Sequence, residues 1–311
     1  MAWIKSGRSM TDKEWVKMGK EPILLQNKRF GAYLCRLVAR LYKKRAYGIM
    51  TGMMAMDGIL ADRLRKLADT YENEKYFQED PIVFPKFFYT ESKRKGYRLE
   101  DIEIAGIISA HLAWGRRAMI VRDCNRAFDE MEWRPFKYVM ERKWESRLDD
   151  GTSLHRTVKW SEFAGICRNI ERFYAAGNNS MESLGINGIR TEIYGKAEDP
   201  KAANKKINMM RRWFVRRNSP VDLGIWAGTD QTELLLPLDV HSHRQATELG
   251  LTERKSKDIR TVREITEKLA EVFPGDPCRG DFALFGYGVA NAGAAKLRQE
   301  DADRTNAGQD A

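Results

Sequence analysis

Apolar residues recur at helical spacing through most of this chain. Leu60, Leu64 and Leu67 form a stripe that predicts a first helix. Ile102, Ile104, Ile107, Ile108 and Leu112 predict another, beginning near Glu100-Asp101, where acidic residues suit the positive end of a helix. Phe163, Ile166, Ile170 and Phe173 mark a third, closed by Gly177-Asn178-Asn179. Ile207, Met210 and Phe214 line one face of a basic helix around Lys205–Arg217. Thr261-Val262-Arg263-Glu264 reads as a capping box ahead of Ile265, Leu269 and Val272, and Pro274-Gly275-Asp276-Pro277 ends that helix. Asp281 opens a last apolar helix through Phe282, Leu284 and Phe285. Alternating, strand-like segments are scarce, and the loop-rich stretch lies near 178–204. The fold class expected is all-α, without internal repeats.

At 311 residues and 42% hydrophobic content, the chain can bury one large core or two small ones. It holds no run of about 18 apolar residues, so no membrane span is expected. Cys35, Cys124, Cys167 and Cys278 are far apart and form no CxxC pair. A zinc ribbon or a loop of closely spaced iron–sulfur ligands is therefore not expected, and scattered thiols fit the reducing cytoplasm. The net charge is +10, but residues 1–55 carry twelve Lys and Arg against three Asp and Glu. The remainder is close to neutral, so nucleic-acid binding there needs a local basic face. Residues 1–55 read as a basic extension, either poorly ordered, or upstream of a start at Met56, or a functional arm. They lack the order of a signal peptide, because basic residues interrupt the apolar stretch. Residues 56–296 read as the folded domain and 297–311 as a disordered polar tail.

The densest chemistry is Pro237-Leu238-Asp239-Val240-His241-Ser242-His243-Arg244. Asp239 stands where it caps a helix over about 240–249. A carboxylate fixed there can also support a developing cation on a sugar or activate an amine. Lys205-Lys206 lies upstream, and a lysine becomes nucleophilic when desolvated or crowded by another cation. The plainer alternative is a solvated helix start and a cap worth about 1 kcal/mol. His111, with Trp114, is either a satisfied core histidine or a pocket residue. Asp239, His241 and His243 converge on a metal only if the helix starts late, and no fourth ligand is evident, so metal hydrolysis is not expected. Arg211, Arg212, Arg216 and Arg217 with Trp213 form a basic aromatic patch, either a solvated face or a phosphate contact.

Leu238 to Arg244 resembles the V-D-T-H-x-x-R motif of helix-hairpin-helix DNA glycosylases, which makes Asp239 the implied essential carboxylate. Lys205-Lys206-Ile207-Asn208-Met209-Met210 is similar to the K-T-A-N-V-V helix start of bifunctional members; Asn208 at the matching offset implies Lys205 as nucleophile. Ile108-Ser109-Ala110-His111 is similar to the L-S-A-Q stretch, with His111 in place of the Gln. The Lys-to-Asp spacing most resembles the archaeal 8-oxoguanine glycosylase branch, whose base pocket implies roles for Asp281 and Phe285. The segments DPIVFP, AGIISAHLAWGRR, NMMRRWFVR, VDLGIW, LPLDVHSHR and DFALFGYG resemble a bacterial family of conserved hypothetical proteins, over about 76–290. The hairpin L-P-G-[VI]-G is absent, and Tyr194-Gly195-Lys196-Ala197-Glu198-Asp199-Pro200 stands in its place.

The resemblance implies two helical subdomains with a central cleft and a DNA glycosylase with lyase activity on an oxidised purine, 8-oxoguanine first. Lys205 and Asp239 are the implied catalytic pair. His111, Trp114, Asp281 and Phe285 form the implied base pocket, and Lys206, Arg212, His241 and Arg244 the implied DNA contacts. The partner is DNA, as damaged duplex or single strand, with no cofactor. A non-catalytic nucleic-acid-binding helical module is the alternative favoured by the missing glycine hairpin, and a partner-binding helical protein is a third.

Overall fold

Helix start signals sit where the backbone needs them in the computed structural model, which describes residues 56–292; the expectations for 1–55 and 297–311 fall outside these. Helix α1, Gly58–Tyr71, opens on Asp57, whose carboxylate accepts from the Ile59 N–H. Helix α2, Val83–Lys95, stops at Gly96, which takes the left-handed conformation at φ 70°. Helix α3, Leu99–Leu112, starts with Asp101 Oδ2 accepting from the Arg98 N–H at 2.9 Å. Every residue of α3 from Asp101 to Leu112 is buried, its apolar residues lying on all sides of the helix with Asp101, Glu103, Ser109 and His111 buried among them. Helices α4, Arg117–Glu130, and α5, Pro135–Met140, follow.

An antiparallel hairpin of β1, Ser153–His155, and β2, Val158–Lys159, comes next. Strands this short carry no readable alternation, so periodicity does not announce them. Helix α6, Trp160–Ala175, gives way at Gly177, φ 86°. The stretch read as loop holds a short helix α7, Gly185–Gly188, running into a π-helical turn, Ile189–Ile193. Then come α8, Lys205–Val215; α9, Val240–Glu248; α10, Ile259–Val272; and α11, 280–292. The capping box expected at Thr261 is displaced: α10 begins a turn earlier, where Asp258 accepts from the Arg260 and Thr261 N–H groups at 2.9 and 3.0 Å. A carboxylate is the stronger cap, and the Thr261 hydroxyl donates to the Ser256 carbonyl instead. The described chain is mostly helical, and none of its helices is long and apolar enough to cross a membrane.

Two hydrophobic clusters fill this single compact unit. The larger gathers α2 to α6 and α8 around Phe88, Ile104, Phe128, Phe163 and Phe214. The smaller gathers α1, α9, α10 and the Leu236–Leu238 segment around Leu64, Ile265 and Leu269. Helix α11 serves both, through Phe282 on one side and Leu284 on the other. Gly106 lets α3 approach α8, because a Cβ there would overlap the Phe214 ring. Gly106→Ala is expected to lower stability by roughly 1–3 kcal/mol, the usual penalty of overpacking, read as a lower denaturant midpoint at unchanged slope.

Buried charges tie the loops to this core. Glu103 accepts from Tyr174 Oη (2.6 Å), Ser180 Oγ (2.5 Å), Met181 N (2.9 Å) and Trp226 Nε1 (2.7 Å). That explains Trp226 in the VDLGIW segment: its indole N–H completes a fully satisfied buried carboxylate. The basic aromatic patch expected around Trp213 does not form a surface. Trp213, Arg212 and Arg216 are 0%, 4% and 1% exposed. Arg216 is held by Asp222 (2.5 Å), Asp276 (2.8 Å) and Glu72 (2.8 Å). Arg217 alone of the four faces out, and it donates to the Trp226 and Ala227 carbonyls.

Candidate functional site

The end of α3 meets the start of α8 at the wall of a cavity of about 1200 Å³. The last carbonyls of a helix lack partners within it and carry partial negative charge. Here two lysines supply that partner. Lys205 Nζ donates to the Ala113 carbonyl at 3.1 Å, and Lys206 Nζ donates to the His111 carbonyl. The first turn of α8 has no side-chain cap, since Asn204 (φ 49°) accepts from Arg190 Nη1 at 3.0 Å instead. Burial, helped by the cations of Lys196 and Lys205, lowers the Lys206 amine to about 8; Glu162 opposes this.

The Lys206 shift predicts a pH dependence. Its folded value lies below its ordinary 10.5, so between about 8 and 10.5 the unfolded chain binds the extra proton. Stability contributed by this group is therefore expected to rise as pH climbs through that window. Lys206→Met should flatten the rise in denaturant midpoints measured from pH 7.5 to 10.5.

Three carboxylates line the same cavity: Asp80, Asp239 and Asp281. Asp239 is the N-cap of α9, with Oδ1 accepting from His241 N (2.8 Å) and Ser242 N (2.9 Å) and its own N–H donating to Ser242 Oγ (2.8 Å). The capping reading thus holds in full. It also fixes the carboxylate, and no donor among the described residues reaches Oδ2. Burial raises the Asp281 carboxyl; Arg212 opposes and the neighbouring Asp239 charge reinforces the rise. Asp80 escaped sequence reasoning. It closes the turn before α2 by accepting from Ile82 N at 3.2 Å. Burial raises its carboxyl too, against the fields of Arg117, Arg212 and Lys205. Asp80 is thus a carboxyl in whose field Lys205 stands.

Arg212 needs correction as a DNA contact. Its guanidinium pairs with Asp281, lies 3.3 Å from Asp222 through Nε, and stacks 4.7 Å from the Phe282 ring. Buried and committed to two carboxylates, it shapes the wall from behind rather than meeting a phosphate. Lys206 also points its ammonium at the His111 carbonyl, while His241 and Arg244 are exposed, Arg244 beside Glu248 at 3.8 Å.

His111 is 3% exposed. Its Nε2 lies 2.9 Å from Glu162 Oε1, and its ring packs 5.2 Å from Tyr194, the residue that opens the segment replacing the glycine hairpin. Burial lowers its imidazole while Glu162 opposes. Trp114 sits half-buried at the rim. Phe285 joins Tyr71 and Phe77 at 6.0 and 5.5 Å, with Arg117 5.2 Å from its ring. All ten residues named from the motifs therefore line one cavity, from His111 to Phe285. His243 lies apart from them: its Nε2 is 2.8 Å from the Arg254 carbonyl. Among the described residues no His, Cys, Asp or Glu cluster suits a metal ion. Arg116, Arg117, Arg156, Lys196 and Lys257 add basic side chains to the cavity lining that the sequence reading did not single out as site residues.

A family model described as "Protein of unknown function (DUF2400)" matches residues 80–199 and 190–290. No curated protein and no solved structure matches the chain.

Proposed function

We propose that this chain, which belongs to the DUF2400 family, is a DNA glycosylase and lyase that removes an oxidised purine, 8-oxoguanine first, through a lysine Schiff base. The observation that carries the reading is the convergence of four sequence-distant segments, 111–114, 205–212, 239–244 and 281–285, on one cavity. A pocket of this size accommodates an extruded nucleotide. Aromatic surfaces at Trp114 and Phe285 line the same cavity as the carboxyl of Asp281, the residue types that hold a base between rings and read its edge. The order π-helical turn, loop 194–204, α8 gives a helix–loop–helix leading into Lys205, which supports a glycosylase-like arrangement.

In the proposed reaction the Lys205 amine, after giving up a proton, attacks C1′ of the damaged nucleoside. The C1′–N9 bond breaks, its electron pair leaves with the base, and a proton passes to the base. Asp239 stabilises the positive charge that develops on the sugar as this bond stretches. Loss of the amine proton and opening of the ring give the Schiff base. Abstraction of a C2′ proton then expels the 3′ phosphate and cuts the strand. One observation favours a second assignment within the same chemistry: burial lowers the Lys206 amine to about 8, which brings its neutral, nucleophilic form closer to physiological pH.

The test is borohydride trapping on duplexes carrying 8-oxoguanine, uracil or an abasic site. A covalent adduct is expected with 8-oxoguanine and with the abasic site. Measurable DNA binding without any adduct would leave the non-catalytic module as the better description.

A further inference from the structure

We propose that the β1–β2 hairpin and the turn after α3 together form a DNA-gripping element, in which Arg156 of the hairpin and Arg116 of the turn bind the phosphodiester backbone of the strand entering the cavity and Trp114 supports the adjoining base. The proposal rests on the DNA reading above and adds to it the hairpin and two arginines that the sequence reading did not single out.

The hairpin is short but firmly held. The His155 ring is fully buried, with Nδ1 2.7 Å from Asp123 Oδ2 and Nε2 2.9 Å from the Trp114 carbonyl. Arg126 on α4 donates to the Leu154 carbonyl at 2.6 Å and to the Ser153 carbonyl at 3.2 Å. One buried imidazole thus fixes the hairpin to α4 and to the turn after α3 at once.

That anchoring presents a strained residue to a glycine that makes room for it. Arg156, at the hairpin tip, has φ 56°, a left-handed conformation that side-chain-bearing residues adopt reluctantly. Gly115 faces it at φ 104°, where a Cβ would lie 2.9 Å from Arg156 Nη1. Strain of this kind persists where the surroundings impose it, and it gathers at ligand-binding segments. Its effect here is to lay the Arg156 guanidinium 4.5 Å from the Trp114 ring centre.

Stacking occupies a guanidinium's face and leaves its N–H fork free along the edge. No acceptor among the described residues meets the Arg156 fork, and none meets Arg116, although both side chains are exposed and line the cavity. Two unpartnered forks beside a half-buried indole match the chemistry of a phosphodiester followed by a base. Phosphate oxygens take the fork, and the indole face takes the ring. The position also answers the missing glycine hairpin. An anchor made of side chains on a rigid β-turn replaces one made of backbone amides.

The experiment is fluorescence-anisotropy titration of a duplex carrying a tetrahydrofuran abasic analogue, over a series of salt concentrations. Wild type, Arg156→Ala and Arg156→Lys are compared. Thermal unfolding checks each variant; the His155–Asp123 anchor does not involve the Arg156 side chain. Arg156→Ala is expected to weaken binding about tenfold and to reduce the slope of log affinity against log salt by about one, the signature of one lost phosphate contact. Arg156→Lys is expected to keep the slope, since its charge remains, and to lose part of the affinity. Wild-type binding matched by Arg156→Ala in both affinity and slope would overturn the proposal and leave the glycosylase reading intact. No wild-type DNA binding at low salt would overturn both.

Discussion

Lys205→Ala is expected to form no borohydride-trapped adduct with an 8-oxoguanine or abasic duplex, a loss of at least about a thousandfold in covalent capture. The adduct is a reduced bond between an enzyme amine and C1′, so it vanishes only when the attacking amine is removed. Lys205 and Lys206 make the comparison sharp. Both ammonium groups rest on carbonyls at the end of α3, one on Ala113 and one on His111. Both line the cavity, and successive helical positions aim them differently. Lys206→Ala should retain the adduct at a reduced rate. The reverse pattern, an adduct lost only in Lys206→Ala, would transfer the nucleophile to the amine that burial already lowers to about 8. Full capture by both single variants would remove the assignment of the attacking amine to either lysine alone and place it elsewhere or on both in exchange.

Asp239→Asn is expected to slow base release by about 10²–10³-fold under single-turnover conditions while leaving stability within a few tenths of a kcal/mol. The contrast follows from the two jobs of one carboxylate. Asn caps a helix as well as Asp does, so the bonds from His241 N and Ser242 N to Oδ1 survive the change. What disappears is the charge, which a cation forming in the cavity needs and which also helps to raise the Asp281 carboxyl. Asp239→Ala removes both, and should lose about 1 kcal/mol of stability on top of the same catalytic loss. Normal base release by Asp239→Asn would mean that the cap is all this residue does. Asp80, in whose field Lys205 stands, would then be the carboxylate to test next.

Much of the architecture was legible because burial and periodicity are local. The stripe at Phe163, Ile166, Ile170 and Phe173 lies on α6, and the mainly apolar run from Ile102 to Leu112 is the buried α3. The hairpin at 153–159 was not legible, since two or three residues per strand cannot show alternation. Nor was the π-helical turn at Ile189–Ile193, whose wider winding breaks the usual spacing. Motif order singled out residues that line one cavity, but it misjudged Arg212, because exposure depends on partners far away in sequence. Asp281 and Asp222 draw that arginine inside, and nothing near position 212 announces them. Asp80 and Arg156 were invisible for the same reason: each matters through a neighbour that only the fold supplies.

Asp222 is shared by Arg212 and Arg216, and that sharing constrains how this family can diverge. Removing the carboxylate would take one partner from each of two buried cations at once, leaving Arg212 to Asp281 and Arg216 to Asp276 and Glu72. Losing either arginine alone would leave Asp222 half-compensated. The three positions should therefore drift as one inherited unit, kept together or exchanged together for apolar side chains, even in relatives whose cavity has changed its substrate.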